Sequence, residues 1–540
     1  MLVYRCAIIA ALGGFLFGFD TAVISGTVDD LKSVFLLNDW LLGFTVASAL
    51  IGTILGAATV HWPSNWWGRK PTLILVAILY FFGAVGSACP WNLIPNTMTN
   101  WDWFGFLFAR FIGGIAVGGA SVVSPLYTAE IAPAKSRGVL VAITQFNLVL
   151  GILVAFFSNY IIASLHIGDL GWRWMFAVQA FPAAAFFFLL FIVPESPRWL
   201  IGKGRSDKAR PILAVLGTDS GSVEEEVHII EKAIAEERKD GKKEVLFCYR
   251  YRFPIFLAIC MAAFNQLSGI NAVLYYAPKM FTIAGASPEL AMFLPVVIGF
   301  TNLVFTMAAM YVIDWFGRRV LMLAGSIGYI TGLCIVAVTF LVYAPEFNLS
   351  IQNVAVAEAQ KRIEATEKTL KDMETVAPET ATPETAETVA FLQVEWETAQ
   401  KELVVAQSKL NSAKKAFHDA RQADAEGGVP MSGILIVLGG LMLFIASHAF
   451  GQGACIWVFL GEIFPNQVRA QGQALGCFTH WIFAALITQL FPPLLALLGP
   501  VFIFFGFAGF MVLQLLWVIG IMPETKQIPL EEMQKKLGIV

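Results

Sequence analysis

The chain has 540 residues, of which 57% are apolar and only 14% are charged. A soluble protein of this length needs far more polar surface, so the composition excludes an ordinary globular protein and favours a chain that crosses a membrane many times. The formal net charge of −3 argues against a nucleic-acid surface. The seven cysteines are scattered without a CxxC motif, which predicts free thiols and neither a disulfide framework nor a metal site.

Apolar runs of about 20 residues, long enough to cross a ~30 Å hydrocarbon core, predict twelve transmembrane helices. Helix 1 comes at the start of the chain, and we expect it to act as the targeting signal. The predicted helices are 4–26, 40–60, 71–89, 103–127, 139–163, 173–193, 254–281, 289–313, 320–343, 433–460, 471–497 and 500–522.

Basic residues collect in the connections that follow even-numbered helices and near the chain ends, whereas the short connections 90–102 and 164–171 carry no Lys or Arg. By the positive-inside rule, both termini are predicted to be cytoplasmic. The short chain ends favour a bacterial source. We therefore expect a multi-pass protein of a plasma membrane, specifically a bacterial inner membrane.

Two long polar segments interrupt the pattern. The linker 197–252 joins predicted helices 6 and 7 in the cytoplasm and includes an amphipathic stretch, 223–235. The segment 346–428 lies between helices 9 and 10 on the opposite side, and its apolar residues recur in steps of three and four, the seam of a coiled coil. We expect an antiparallel helical hairpin there, with disorder as the alternative.

The composition of this hairpin bears on its role. Residues 346–426 contain 15 Asp and Glu residues and nine Lys and Arg residues, which gives a net charge of −6. Such an exposed acidic rod suits an extracytoplasmic protein partner or self-association. The alternative is an inherited insertion with no partner, since long surface insertions cost little to tolerate.

The membrane part contains an internal repeat. Gly68-Arg69-Lys70 recurs as Gly317-Arg318-Arg319, Glu130-Ile131-Ala132-Pro133 as Glu462-Ile463-Phe464-Pro465, and Pro194-Glu195-Ser196 as Pro523-Glu524-Thr525. The repeat divides the chain into an N-terminal half, 1–196, a C-terminal half, 253–345 and 429–523, and a tail, 524–540. The hairpin interrupts one copy and is expected to lie outside the transport core. Two six-helix halves with a site between them are typical of alternating access.

Nine charged residues at helix ends on the cytoplasmic side predict a gating network. Pairs among them would latch the two halves together in one state and part in the other. Contact with lipid headgroups is the alternative. These residues are Arg69, Glu130, Arg137, Glu195, Arg198, Arg318, Glu462, Arg469 and Glu524.

As a set, these motifs resemble the sugar porter family of the major facilitator superfamily. The resemblance covers all twelve predicted helices and excludes the hairpin, and it agrees best with the xylose–proton symporters and the facilitative glucose transporters. It is carried by the two Gly-Arg loops, Pro194-Glu195-Ser196-Pro197-Arg198, Gln266 with Gly269-Ile270-Asn271, Tyr275-Tyr276 and Pro523-Glu524-Thr525-Lys526.

The resemblance implies an all-α membrane fold and a monosaccharide:proton symporter, for a pentose or a hexose, that works by alternating access. An uncoupled sugar facilitator and a non-transporting sugar sensor are the alternatives. The sequence has no nucleophile–base set, phosphate loop or metal cluster, so we expect neither an enzyme nor a bound cofactor.

Asp20 stands inside predicted helix 1, where an acidic group costs about 2.5–3.5 kcal/mol and therefore needs a partner. Arg110, inside predicted helix 4, is the available cation. While the two are paired the carboxylate stays ionised, and separation of the pair favours its protonation. The resemblance implies that Asp20 is the proton site and that Arg110 modulates it. A permanent structural ion pair is the alternative.

A sugar presents many hydroxyl groups and an apolar ring face, which carboxamides and aromatic rings recognise. The resemblance implies a sugar site made of Phe17, Gln145, Asn265, Gln266, Asn271, Tyr275, Asn302, Trp457, His480 and Trp481. Hydrogen bonding between helices is the alternative for any single Asn or Gln. Ile152, Asn265 and His480 depart from the pattern of the xylose symporters, which leaves the identity of the sugar open.

Overall fold

The computed structural model describes residues 2–89, 100–133, 137–216, 222–239, 246–376, 383–421, 430–465, 467–526, 528 and 530–539. Every regular element in that part of the chain is a helix. Eleven of these described helices are long and apolar enough to cross a membrane, by length and composition. The all-α membrane fold expected from the sequence is confirmed.

The N-terminal half contains six transmembrane helices. Helix 1 continues through the turn Ile24–Thr27 into a short helix, Val28–Val34, and helix 6 is broken at Gln179. The bounds are Leu2–Val23 for helix 1, Asp39–Thr59 for helix 2, Arg69–Ala88 for helix 3, Asn100–Ile131 for helix 4, Arg137–Ser164 for helix 5, and Gly171–Val178 with Ala180–Leu190 for helix 6.

The C-terminal half repeats this arrangement with more breaks. Helix 7 consists of Arg252–Leu267, Ile270–Tyr275 and Ala277–Ile283; helix 8 is Pro288–Phe316, helix 9 is Arg318–Val342, and helix 10 consists of Met431–Phe450 and Gln452–Glu462. The last helical segment, Arg469–Gly520, has 52 residues and is broken at Gly499, where φ is 75°. Its length of about 78 Å is enough for two crossings of a ~30 Å core. It therefore supplies helices 11 and 12, which completes the twelve.

Close approach of backbones holds helix 1 against helix 5. A Cβ atom on Gly18 would overlap the carbonyl oxygen of Leu148, and one on Gly151 would overlap the carbonyl oxygen of Phe15. Small residues at such crossings are the usual means of packing helices in a membrane, where hydrophobic driving force between helices is absent. This contact fixes the position of helix 1, which carries two of the predicted site residues.

Short helices Pro197–Gly202, Ser206–Leu216 and Val223–Lys239 lie in the linker. Between helices 9 and 10 the structure has two long helices, Ala344–Val376 and Pro383–Arg421; residues 377–382 and 422–429 of this segment lie outside the described part. The two helices run antiparallel, because Arg362 pairs with Glu395 at 2.6 Å and with Glu402 at 2.9 Å, while Trp396 donates to Glu367 at 3.1 Å. We call these two helices the hairpin.

Candidate functional site

Asp20 and Arg110 form a buried ion pair inside the N-terminal half. Arg110 Nη1 lies 2.7 Å from Asp20 Oδ1 and Nη2 lies 3.3 Å from Oδ2. The two residues are 4% and 3% exposed, and the guanidinium also lies over the Phe176 ring at 5.3 Å. The predicted pairing of helices 1 and 4 is therefore present, with a bidentate geometry.

Gln179, at the break in helix 6, is a third member of this site that the sequence reading missed. Its Nε2 atom donates to Asp20 Oδ1 at 3.2 Å, and the residue is 2% exposed. The available signal was a lone carboxamide within the apolar run 173–193. Asp20 thus has a charged and a neutral donor, one from helix 4 and one from helix 6.

Six of the ten predicted sugar-site residues form one connected cluster. Gln266 Nε2 lies 3.0 Å from Asn265 Oδ1 and 3.1 Å from His480 Nε2. The centroid of the His480 ring lies 5.3 Å from that of Trp457 and 4.9 Å from that of Trp481. The ring centroids of Trp481 and Phe17 are 5.6 Å apart. Because Phe17 belongs to helix 1 and the other five belong to helices 7, 10 and 11, the cluster spans the boundary between the two halves.

The cluster offers unpaired polar atoms of both kinds. Gln266 Oε1 and Trp481 Nε1 are buried and have no hydrogen-bond partner, although their side chains touch the same His480 ring. An unpaired buried donor or acceptor costs about 1–3 kcal/mol. A ligand hydroxyl, which donates and accepts at once, satisfies both kinds of atom. The exposed Trp457 ring, 42% accessible, supplies a flat apolar face beside them.

Backbone breaks lie next to this cluster. Helix 7 is interrupted at Gly269, which has φ of 85° and follows Gln266 by three residues, and helix 10 is interrupted at Gly451, six residues before Trp457. Discontinuous helices at a binding site are characteristic of transporters, because the free backbone groups line a cavity and the pieces can move separately.

The four other predicted sugar-site residues are placed separately. Asn271, Tyr275 and Asn302 are buried, and Gln145 is half-buried on helix 5. Asn302 accepts from Thr306 at 3.4 Å. Among the described contacts, no hydrogen bond or ring contact joins these four residues to the cluster, so their place in a sugar site stays a prediction.

The end of the bundle that carries Arg69 and Arg318 is called the basic end. There Arg69 contacts Glu130 through Nε at 2.9 Å and Nη2 at 2.8 Å, and the Glu195 carboxylate accepts from the backbone N–H groups of Arg69 at 2.9 Å and Lys70 at 3.3 Å. Gly68 has φ of 114°, and a Cβ atom on it would overlap the Glu195 carboxylate. Burial raises the pKa of Glu195, and the backbone N–H donors lower it by less.

The C-terminal half repeats this geometry. Arg318 Nη2 lies 2.9 Å from Glu462, and Glu524 accepts from the backbone N–H groups of Arg318 at 3.1 Å and Arg319 at 3.0 Å. Gly317 has φ of 87° and takes the position of Gly68. The internal repeat is therefore structural, and each carboxylate at these positions satisfies the free N–H groups at the start of a helix.

Each ion pair described at the basic end joins two residues of the same half. Of the remaining predicted gating residues, Arg198 is exposed, Arg469 donates to the carbonyl oxygen of Phe464 at 3.3 Å, and the Arg137 side chain lies outside the described part. These contacts brace each half internally, so a latch between the halves at this end stays a prediction. The described residues contain no group of His, Cys, Asp and Glu that would hold a metal ion.

Known proteins match this chain over nearly its whole length. The model of the family described as "Sugar (and other) transporter" matches residues 6–358 and 423–537. The D-xylose-proton symporter of Escherichia coli strain K12 is 31% identical, with 98% of this chain and 95% of the relative covered. The arabinose-proton symporter of Bacillus subtilis is 28% identical, with 99% and 94% covered.

Solved structures agree with these relatives. The xylose transporter XylE from E. coli, in a partially occluded inward open conformation, superimposes with a TM-score of 0.71 at 29% identity, covering 98% of this chain and 99% of that one. The same symporter bound to 6-bromo-6-deoxy-D-glucose gives 0.69 at 30% identity, with 99% of both chains covered. The twelve-helix fold of the major facilitator superfamily is thus shown, and the chain is a multi-pass membrane protein that belongs to the sugar transporter family.

Proposed function

We propose that this protein carries a monosaccharide, a pentose or a hexose, across a membrane together with a proton. One observation carries the proposal: helix 1 bears both the Asp20 ion pair and the Phe17 wall of the aromatic and carboxamide cluster. The two residues are three positions apart, about 4.5 Å along the helix axis. A movement of helix 1 that follows sugar binding therefore also displaces the Asp20 carboxylate.

The coupling follows from this shared helix. Sugar that fills the space beside Trp457 and pairs with Gln266 and Trp481 draws helices 7, 10 and 11 towards Phe17. Because Asp20 is held by Arg110 and Gln179 from other helices of the N-terminal half, a shift of helix 1 lengthens these contacts. A carboxylate that loses its charged partner in a buried site takes up a proton. Protonation and sugar binding then favour the same conformational change.

The orientation is part of the proposal. The basic end faces the cytoplasm of a bacterial inner membrane, with both chain termini on that side, because Lys and Arg concentrate there. The Arg69–Glu130 and Arg318–Glu462 pairs then stiffen the cytoplasmic end of each half, and the nine charged residues predicted for gating would form a latch between the halves in one state of the cycle. The hairpin lies on the opposite, extracytoplasmic side, where its acidic surface suits a weak polar contact with another protein or with a second copy of the chain.

The names of the relatives and the ligand of the solved complex select the sugars to test: D-xylose, arabinose and D-glucose. Purified protein in proteoliposomes should take up at least one of them against its gradient when the outside is acidic, and sugar addition should alkalinise the outside medium. Uptake that reaches only the external concentration, with no pH change, would identify an uncoupled facilitator. Binding of a sugar without exchange of label across the membrane would identify a sensor.

A further inference from the structure

The hairpin is seated on the end of the bundle opposite the basic end, which we call the hairpin end. Its first helix, Ala344–Val376, follows directly after helix 9 and so belongs by chain connection to the C-terminal half. It packs against Ala277–Ile283 of helix 7 and against Val28–Val34, the continuation of helix 1. Ser350 also donates to the carbonyl oxygen of Thr282 at 3.2 Å. The hairpin thus touches both halves.

Glu358 of the hairpin joins the halves through charge. One carboxylate oxygen lies 3.0 Å from Lys32 Nζ, on the continuation of helix 1, and the other contacts Lys279 Nζ, on helix 7. The Glu358 side chain is 28% exposed, and the two lysines are 26% and 17% exposed. A single carboxylate therefore bridges a lysine of the N-terminal half to a lysine of the C-terminal half.

Two further pairs cross between the same elements. Lys279 lies 3.1 Å from Asp29 of the N-terminal half, and Lys361 of the hairpin lies 3.5 Å from Asp30. Lys32 is also held at 2.9 Å by Asp39 at the start of helix 2. These interactions differ from those at the basic end, which connect helices of one half. Opening the hairpin end requires Val28–Val34 to leave Ala277–Ile283 and the hairpin. This separation breaks the Lys279–Asp29, Lys361–Asp30 and Lys32–Glu358 pairs, whereas Lys32–Asp39 stays within the N-terminal half.

We propose that the hairpin is a clamp on the hairpin end of the transporter, with Glu358 as the residue that fastens it, so that it favours the conformation closed at that end. The proposal rests on the alternating access of the proposed function. The match to the family model stops at 358 and resumes at 423, so most of the two hairpin helices lies outside the matched pattern, whereas Glu358, Lys32 and Lys279 lie within it. The hairpin then takes part in the conformational cycle, in addition to any contact with a partner.

Water reaches the clamp. Asp29, Lys32, Lys279 and Glu358 line a cavity of about 1030 Å³ between the hairpin and the bundle. Ion pairs that border water are weakened by salt, whereas contacts between apolar groups are not. The clamp should therefore loosen as ionic strength rises, and the loss of Glu358 should remove most of that dependence.

The test is hydrogen–deuterium exchange of the purified full-length protein without sugar, followed in peptides that cover 28–34 and 277–283. Glu358→Gln should speed amide exchange in both peptides by up to about fivefold, the effect expected for the loss of the half-buried Glu358–Lys32 pair that opening breaks. Glu364→Gln is the matched control, because Glu364 is exposed on the same helix and the substitution removes the same charge. The Glu364→Gln variant should exchange at the wild-type rate. In addition, 0.5 M salt should speed exchange in the wild type more than in Glu358→Gln.

A second variant guards against a folding defect. Replacing 346–428 by a short Gly/Ser linker removes the clamp entirely and should speed exchange in the same two peptides, while peptides of helices 4 and 5 keep their wild-type protection. Wild-type exchange rates in both Glu358→Gln and the deletion would overturn the clamp. Because the exchange is measured without sugar, faster exchange in a protein that moves no sugar would count against the proposed function and leave the clamp standing.

Discussion

Replacing Asp20 by Asn removes the charge of the proposed proton site with the least change in shape. The amide oxygen of Asn can still accept the 2.7 Å hydrogen bond from Arg110, and the side chain is only 6% exposed, so no water needs to enter. Because the buried Arg110 loses its counter-charge, we expect the variant to fold and to insert into membranes with reduced stability. It cannot bind and release a proton, because a carboxamide does not titrate in the accessible range.

The size of the effect follows from the driving force. One proton that moves down a membrane potential of about 100 mV and a gradient of one pH unit supplies about 3.7 kcal/mol, enough for roughly 500-fold accumulation of sugar. Asp20→Asn should reduce this accumulation to none. Exchange of sugar between the two sides should persist, because the aromatic and carboxamide cluster is unchanged.

The assay is uptake of labelled sugar into proteoliposomes with an imposed potential and pH gradient, paired with counterflow under no gradient. Asp207→Asn is the control for the same chemical change, since that side chain is 96% exposed in the linker. The control should accumulate sugar like the wild type. Uphill accumulation of sugar by Asp20→Asn to the wild-type level would refute the assignment of the proton site.

Three further outcomes are expected. Gln266→Ala should weaken sugar binding by about 1–3 kcal/mol in isothermal titration, since a ligand group is left unpaired, and an unchanged affinity would place the site elsewhere. Gly18→Ala should prevent folding, because the new methyl group overlaps the backbone of helix 5, whereas Gly439→Ala has open space and should give the wild-type yield and melting temperature. Gln179→Glu places a second carboxylate beside Asp20. Because two like charges oppose each other's ionisation, proton-driven uptake should persist to higher pH. A pH profile identical to that of the wild type would show that the residue at position 179 does not influence the proton site.

The transmembrane helices could be predicted from the sequence for two reasons. In lipid the backbone N–H and C=O groups must hydrogen-bond within the helix, and crossing the hydrocarbon core takes about 20 apolar residues. Breaks within helices were less visible. The break at Gly499 lies between the predicted helices 471–497 and 500–522, whereas the breaks at Gly269 and Gly451 fall inside the predicted helices 254–281 and 433–460. Their positions depend on packing across the two halves, which no local pattern records.

The same distinction applies to the site. The Asp20–Arg110 pair was predictable, because a buried charge requires a counter-charge and few were available in the membrane part. Gln179 was not, since a neutral carboxamide in a helix needs only one hydrogen bond and many partners would serve. The contacts of Lys279 and Lys32 with Glu358 join residues 79 and 326 positions apart and depend on where the hairpin comes to rest.

The two ends of the bundle use charge in different ways, and this difference bears on which conformation the structure represents. At the basic end, the Arg69–Glu130 and Arg318–Glu462 pairs lie within one half each, so they survive when the halves rock against each other. At the hairpin end, the Lys279–Asp29 and Lys32–Glu358 pairs cross from one half to the other and must break. The structure is therefore closed at the hairpin end. The electrostatic free energy that opposes opening comes from the ion pairs between the lysines and carboxylates at this end. Because these groups border water, that cost is moderate and adjustable by salt, which is what a clamp on a cycling transporter requires.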